Sequence, residues 1–372
     1  MTDFVPYDRQ SFEREIEQTL VSDMAAFARL SQRSGMHCHA LVDAAACGQL
    51  DEQRPDEGAI ARLVARHPVE ATPLFLLTPE ADIAGAGPWL IELPVSDDGE
   101  AVPALLSDLA RVAGLAQALS LMASPLRSTA LAIHLRGWFD GRIPADPTIA
   151  DDEDAGAVLR WYDPRVGFDM VALWPEADRD AFLSAFTWAG WDAAFTPRGL
   201  RCTRSRDPRA APRPQPMTLG TDLLRAMGVL SQADELLADA QQHAQADAFD
   251  AVAPALRRWV AIDQWQQARH LGLESRESCI ALLHTALTLH PGVSRLNGLR
   301  ERLAQQASGS HALEHALASQ SADWWAEHRR EAPGVWARWA HHYLQPLRER
   351  RTAPATAHPF AALMPANRLT AA

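Results

Sequence analysis

The chain has no lysine: all 35 positive charges among its 372 residues are arginines. A bias of this kind is what a GC-rich bacterial genome produces, and it assigns no binding task. Cysteine is scarce too. Cys38, Cys47, Cys202 and Cys279 form no CxxC pair and lack the density of a secreted disulfide scaffold, so reduced thiols are expected. No run of about 18 apolar residues occurs, which excludes a spanning helix by composition. Met1-Thr2-Asp3-Phe4 carries neither a basic nor an apolar signal region, so a cytoplasmic protein with no stable membrane insertion is expected. A G-x-S-x-G elbow is missing. Gly85 and Gly87 precede an apolar run, whereas a phosphate cradle follows a strand and opens a helix, so no nucleotide cofactor is expected.

What is present suffices for two cored domains: 47% hydrophobic residues, 12 of the chain's residues being Trp. Charge divides unevenly. Residues 1–200 hold 15 Arg against 31 acidic residues, a net of −16, while 201–372 hold 20 Arg against 16, a net of +4. The acidic first half argues against a nucleic-acid partner.

Periodicity predicts a helix over 9–33, with Phe12, Ile16, Leu20, Met24, Phe27 and Leu30 on one face, then a strand His37–Asp43. A helix at 57–66, strands at 73–77 and 89–93, a helix at 104–117 and a strand at 118–122 follow. Ser124-Pro125 reads as a helix cap with Pro at the first position of a helix to about Phe139. Residues 140–156 read as a loop, 158–162 as a buried strand stopped by Pro164, 181–188 as a helix, and 191–195 with 200–203 as a hairpin around Thr196-Pro197-Arg198-Gly199. The Pro- and Arg-rich stretch 204–216 reads as a linker between an α/β domain, 1–203, and a helical domain, 217–351. In the latter, stripes at Leu219–Leu230, Phe249–Trp259 and Ile280–Leu287 precede helices at 310–329 and 334–350. The tail 352–372 has no periodicity and is expected to be disordered. The fold class is α+β or α/β: a mixed N-terminal lobe with a small sheet, then an all-α lobe.

Few residues offer chemistry. Asp163 and Arg165 flank the strand-ending Pro164, at what the pattern makes a strand's carboxyl end, and their simpler role is to fix the turn. His37 and His39 share one strand face and Cys38 takes the other, so neither a thiol–imidazole pair nor a three- or four-ligand zinc site is complete, and no metal is expected. Asp151-Asp152-Glu153-Asp154 lacks the Gly and spacing of a calcium loop. Gln267–Leu273 and the following helix have a helix-turn-helix rhythm near 264–290, but Glu274 and Glu277 stand where phosphates would lie, and Ser278 where an apolar residue is usual.

His39-Ala40-Leu41-Val42-Asp43, Pro73-Leu74-Phe75, Gly87-Pro88-Trp89-Leu90, Ser124-Pro125-Leu126, His134-Leu135-Arg136 and Arg160-Trp161-Tyr162-Asp163-Pro164-Arg165 together resemble the bacterial type VI secretion effector-adaptor, or effector-chaperone, family (domain of unknown function 4123). The likeness spans roughly 37–190 and rests on the order and spacing of six short motifs. It implies a non-enzymatic cytoplasmic protein, without cofactor, whose partners are a cognate toxin effector and a VgrG-type spike protein. Asp43, Gly87, Pro88, Trp89, Tyr162, Asp163, Pro164 and Arg165 would be its structural signature. Trp161 stands where a Phe is more usual.

The residues fit that expectation. Aromatic-rich helices offer Trp259, Trp265, Trp324, Trp325, Trp336 and Trp339 as candidate anchors for a partner, against the alternative that they form the helical core itself. The competing functional readings are a DNA-binding regulator acting through 264–290 and a small hydrolase.

Overall fold

A computed structural model describes residues 7–48, 58–95, 102–145, 154–191, 200–206, 216–242, 251–273, 275–305, 312–352 and 360. The fold is α+β, with an antiparallel sheet in the N-terminal half and helices beyond it. Two compact units form: one combines 17–193, 198–230 and 348–372, the other 1–16, 194–197 and 231–347. These units depart from the boundaries read from the sequence. Met217 and Thr218, just past the expected linker, pair as a short strand with Gly141 and Arg142, and Leu219 N–H donates to Arg142 O at 2.8 Å.

The first unit is built on a six-stranded antiparallel sheet. Its strands are β1 (His37–Asp43), β2 (Ala71–Pro73), β3 (Pro88–Glu92), β4 (Leu119–Ser124), β7 (Thr187–Trp191) and β8 (Leu200–Thr203), in the order β2-β3-β1-β4-β7-β8. β1 and β4 lie at the centre, and their runs HCHALVD and LSLMAS are buried almost throughout, which is why neither alternates apolar with polar. A second sheet has β5 (Asp140–Ile143) between β6 (Ala155–Val158) and β9 (Met217–Thr218).

Helices α1 (Arg9–Arg33), α2 (Ala59–Arg66), α3 (Pro103–Leu109) and α4 (Ser128–Arg136) lie close to their expected positions, and α5 (Gly167–Leu173) and α6 (Glu176–Leu183) follow. The core between them is aromatic. Trp161 stacks on Phe139 at 5.2 Å, Trp138 on Trp174 at 5.7 Å and Phe168 on Trp188 at 3.9 Å. Each such pair adds about 0.5–1.5 kcal/mol beyond the area it buries. Phe360 is also buried, with its ring edge-on to Phe27 at 4.8 Å, so this part of the expected disordered tail is packed; the rest of 353–372 lies outside the described residues.

Several expectations fail for identifiable reasons. The strand expected over 73–77 stops at Pro73: Leu74 and Phe75 turn inward, Leu76 and Leu77 turn outward, and Leu77 sits at φ 71, which no strand tolerates. Ser124 ends β4 instead of capping a helix. Its hydroxyl accepts Leu126 N–H at 3.0 Å and donates to Ala185 O at 2.6 Å, and α4 begins at Ser128. The loop 140–156 contains β5 and the start of β6; of the acidic run, Asp154 accepts from Arg142 and from Ala145 N–H, and 151–153 lie outside the described residues. Residues 187–188, read as helix, belong to β7, which pairs with β8; the expected turn at 196–199 is outside the described residues.

The helical unit draws on α7 (Thr221–Gln242), α8 (Pro254–His270), α9 (Arg276–Thr288), α10 (Asn297–Gln305), α11 (Ala312–Ala318) and α12 (Ala322–Thr352). Its core holds Leu236, Val260, Leu282, Leu283, Leu287, Leu299 and Leu313. Two helices were expected over 310–350. Instead α12 is one helix of 31 residues that runs through Pro333 and Pro346. Apolar packing at Ala332, Val335, Ala337, Ala340, Leu344 and Leu347 outweighs the hydrogen bonds those prolines withhold.

Candidate functional site

Of the segment that reads as a buried strand, 158–162, only Val158 lies in a strand, and 159–162 are loop. β6 ends at Val158, and the chain turns from Leu159 through Val166 before α5. Asp163 and Arg165 therefore sit in this loop and not at a strand's end, which removes the positional argument for catalysis. The loop is shaped by its own side chains. Asp163, 3% exposed, accepts Arg165 N–H at 3.0 Å, Arg165 Nε at 2.8 Å, Arg165 Nη2 at 2.8 Å and Arg160 Nη2 at 3.0 Å. Burial alone would raise the Asp163 pKa. The hydrogen bonds and charge of Arg165, with the charge of Arg160, outweigh burial and hold it below the usual carboxylate value.

The separated motifs converge on this loop. Asp43, the last residue of β1, pairs with Pro88 across the sheet, and Ala44 N–H donates to Gly87 O at 3.3 Å. Leu74 N–H donates to Pro88 O at 2.7 Å, while Arg136 spans back from α4 to donate to Leu74 O at 3.1 Å and Pro73 O at 3.3 Å. Phe75 meets Tyr162 edge-on at 5.7 Å. A side chain at Gly87 would place its Cβ 2.4 Å from the Phe75 ring, so this glycine is what lets the two segments close. His134 is tied to Phe182 O at 2.7 Å. Pro164 is buried, and Trp89 is half-buried with its indole N–H on Gly85 O at 3.3 Å.

Asp43 is the unusual member. It is 1% exposed, Arg160 Nη2 lies 3.6 Å away, and neither carboxylate oxygen accepts a well-formed hydrogen bond. Burial, then the negative charge of Asp163, pushes its pKa up against the opposing charges of Arg160 and Arg165. Beside it, burial raises the Tyr162 pKa to about 12 and pushes the Cys47 thiol up. The site thus holds two carboxylates and two guanidinium groups, with no activated nucleophile against them.

The histidine strand offers little more. His37 and His39 do share a face, their rings 6.4 Å apart, and His37 Nδ1 lies 3.3 Å from Glu92 Oε1. Burial lowers the His39 pKa to about 4, which keeps the ring neutral at physiological pH. Cys38 is buried and its thiol is pushed up by burial, the opposite of what a thiolate nucleophile needs. Among the described residues, His290, His328 and Glu331 place possible metal-ligand atoms within 4.8 Å of one another. Nδ1 of His290 accepts Gly292 N–H at 3.2 Å and His328 Nδ1 lies 3.0 Å from Glu331 Oε2, and three groups are one fewer than a closed structural zinc site uses.

The tryptophan candidates do not form one site. Trp259 meets Trp339 at 5.0 Å and Tyr343 at 5.7 Å; Tyr343 meets Phe12 at 5.4 Å; and Trp336 meets Tyr7 at 6.5 Å. Trp324 meets Trp325 at 4.8 Å and His328 at 4.4 Å. All six are half-buried. Trp265 differs: it lines an open cleft and carries Arg269 on its face, 5.3 Å from the ring centre.

The helix-turn-helix-like segment is real as a hairpin. Gly272, at φ 71, makes the turn; the Ser275 hydroxyl caps α9 by accepting Ser278 N–H at 3.1 Å; and Ser278 is buried. Sequence reading missed Arg160 and Arg136 as ties and Gly167 as a packing requirement. The one advance signal was that Arg136 and Arg160 lie inside the motifs that carry the family resemblance.

Residues 38–181 match the family model described as Domain of unknown function (DUF4123). The match covers all six motif segments in full. No curated protein and no solved structure was found to match.

Proposed function

We propose that this chain, whose residues 38–181 carry the domain known from type VI secretion effector adaptors, is itself a non-enzymatic adaptor that holds one toxin effector in the cytoplasm and delivers it to a VgrG-type spike protein. The family match carries this reading. Local chemistry agrees with it: the signature residues tie a loop into an aromatic core, the nearby thiols are pushed toward the protonated form, and the buried histidine is held neutral. None of these groups has the pKa that acid–base or nucleophilic work at neutral pH requires. The protein would act by binding. Half-buried Trp and Arg side chains on the helices supply the residue types that dominate protein–protein hot spots.

The test is co-expression of the tagged full chain with each product of its adjoining genes, followed by purification. Recovery of one toxin-type product in fixed stoichiometry, and of a spike protein when both are present, is the expected result. Recovery of neither, alongside turnover of a hydrolase substrate, would replace the adaptor reading with an enzymatic one.

A further inference from the structure

We infer that the cleft formed by α7, the α8–α9 hairpin and Trp265 is a docking site for an acidic segment of the client, one in which a carboxylate side chain neighbours a bulky aliphatic residue. This deepens the adaptor reading and rests on it.

The cleft has a volume of about 520 Å³, enough for one or two large side chains but small for a whole helix. Leu236 of α7, Trp265 of α8 and Leu273 of the turn make its walls apolar. Gly272 at φ 71 reverses the chain there, so Leu273 swings back toward α8, its N–H on Ala268 O at 2.9 Å. The wall is thus set by the backbone of the hairpin and does not wait for a ligand.

The rim selects charge. Arg276 is already neutralised, with Nη2 2.5 Å from Asp239 Oδ2 and Nη1 3.7 Å from Glu235 Oε2. Arg269 is not: it is exposed, lies on the Trp265 face, and faces no carboxylate among the described residues. The indole face attracts the guanidinium at 5.3 Å without using up its N–H donors, and a guanidinium can take a carboxylate through two parallel hydrogen bonds. A cation held over an apolar slot matches a ligand that pairs an anion with an aliphatic group. Phosphate offers the same charge, and the hairpin resembles a DNA reader. Against nucleic acid, exposed Glu277 stands in the first turn of α9, where a phosphate backbone would approach.

The test uses the full chain and a synthetic twelve-residue peptide, acetylated and amidated, with a Leu-Leu-Asp-Glu centre and no basic residue. Binding is followed through the Trp265 indole N–H resonance, assigned by its loss in Trp265→Phe, and by peptide anisotropy. The acidic peptide should move that resonance. Its Leu-Leu-Asn-Gln counterpart should bind about tenfold or more weakly, Arg269→Gln should weaken the acidic peptide to a similar degree, and Arg269→Lys should fall between, because it keeps charge without the planar fork. Arg269 is exposed, so both variants should melt like wild type. Equal binding of acidic and amide peptides, or no effect of Arg269→Gln, overturns the inference. So does a response that needs a free peptide carboxyl terminus, or a stronger response to random 20-base-pair duplex. If peptides fail while the co-expressed effector is still retained, the docking site falls and the adaptor reading stands. If the peptide binds as expected and no gene product is retained, the reverse holds.

Discussion

Each compact unit buries an arginine–aspartate pair joined by two parallel hydrogen bonds, and the pairs do different work. In the α/β unit the partners are two residues apart: Arg165 Nε and Nη2 each reach Asp163 at 2.8 Å and fold one loop. In the helical unit they are far apart in sequence: Arg258 Nε reaches Asp234 Oδ1 at 2.7 Å and Nη2 reaches Oδ2 at 3.0 Å, fixing α8 against the part of α7 that lies in that unit. The local pair sits where the family motifs meet, the long-range pair outside them. The difference teaches that Asp163 and Arg165, with Arg160, specify one irregular loop, which has no ladder of its own to hold it. Helices carry their own hydrogen bonds and need such a pair only for alignment.

The largest effect should come from the backbone of that loop. A Cβ at Gly167 would lie 1.8 Å from Trp161 O, a backbone atom that cannot swing away, so Gly167→Ala should yield no soluble folded protein. Gly272→Ala in the helical hairpin meets nothing within 4 Å and pays for φ 71 alone, on the order of 1 kcal/mol. Circular dichroism and soluble yield compare the two. If Gly167→Ala melted like wild type, the loop would be far more yielding than this packing allows.

Next come the pairs themselves. Asp163→Asn leaves two guanidinium groups facing a neutral amide at a site 3% exposed, a loss of about 3–5 kcal/mol. The Asp234 side chain is 20% exposed, so water replaces part of what Asp234→Asn removes, and about 1.5–3 kcal/mol is expected. Urea unfolding decides, and equal losses would erase the contrast drawn between the pairs. Acid gives an independent check. Because the folded-state pKa of Asp163 is lowered, its stabilisation is fully present above the unfolded value near pH 3.9 and disappears as pH falls through the folded value. The gap between wild type and Asp163→Asn should therefore narrow below about pH 4.

How far these features were legible follows from the same contrast. β1, β3 and β4 were readable as short apolar runs bounded by turn residues, and α1 by its helical periodicity. The organising loop was misread as a strand because Leu159, Trp161 and Tyr162 are apolar for tertiary reasons: they fill an aromatic core, and β-propensity reports burial as much as backbone shape. α12 was split at Pro333 because a local rule was applied where a long apolar face overrides it. Asp163 and Arg165 were readable as residues that fix a turn, but not as partners of each other. Arg258–Asp234 carried no sequence signal, since nothing local marks a pair made by the alignment of two helices. The cleft at Trp265 was half legible: Trp265 and the Gly272 turn were noted, but not that the turn brings Leu273 back beside them.

The smallest effect should have the opposite sign. Asp43 lies beside the same loop, yet neither of its carboxylate oxygens accepts a well-formed hydrogen bond, and Arg160 Nη2 is 3.6 Å away. Burial and the charge of Asp163 raise its folded-state pKa above the unfolded value. A carboxyl group so shifted binds its proton more tightly in the folded state, so its favourable contribution is present below about pH 3.9 and is lost as pH rises through the folded pKa. At neutral pH the ionised group is a net cost. Asp43→Asn keeps the shape and cannot ionise, so it should raise Tm at pH 7 by about 2–4 °C, what on the order of 1 kcal/mol produces in a unit of this size. The gain should shrink toward pH 4, where wild-type Asp43 gains its proton. A lower Tm at pH 7 would mean that Arg160 at 3.6 Å already compensates the charge, and the two aspartates would then form one structural network. If the variant is more stable but retains less of the co-expressed effector or spike protein, Asp43 serves binding at the expense of the fold, and the signature is not purely structural.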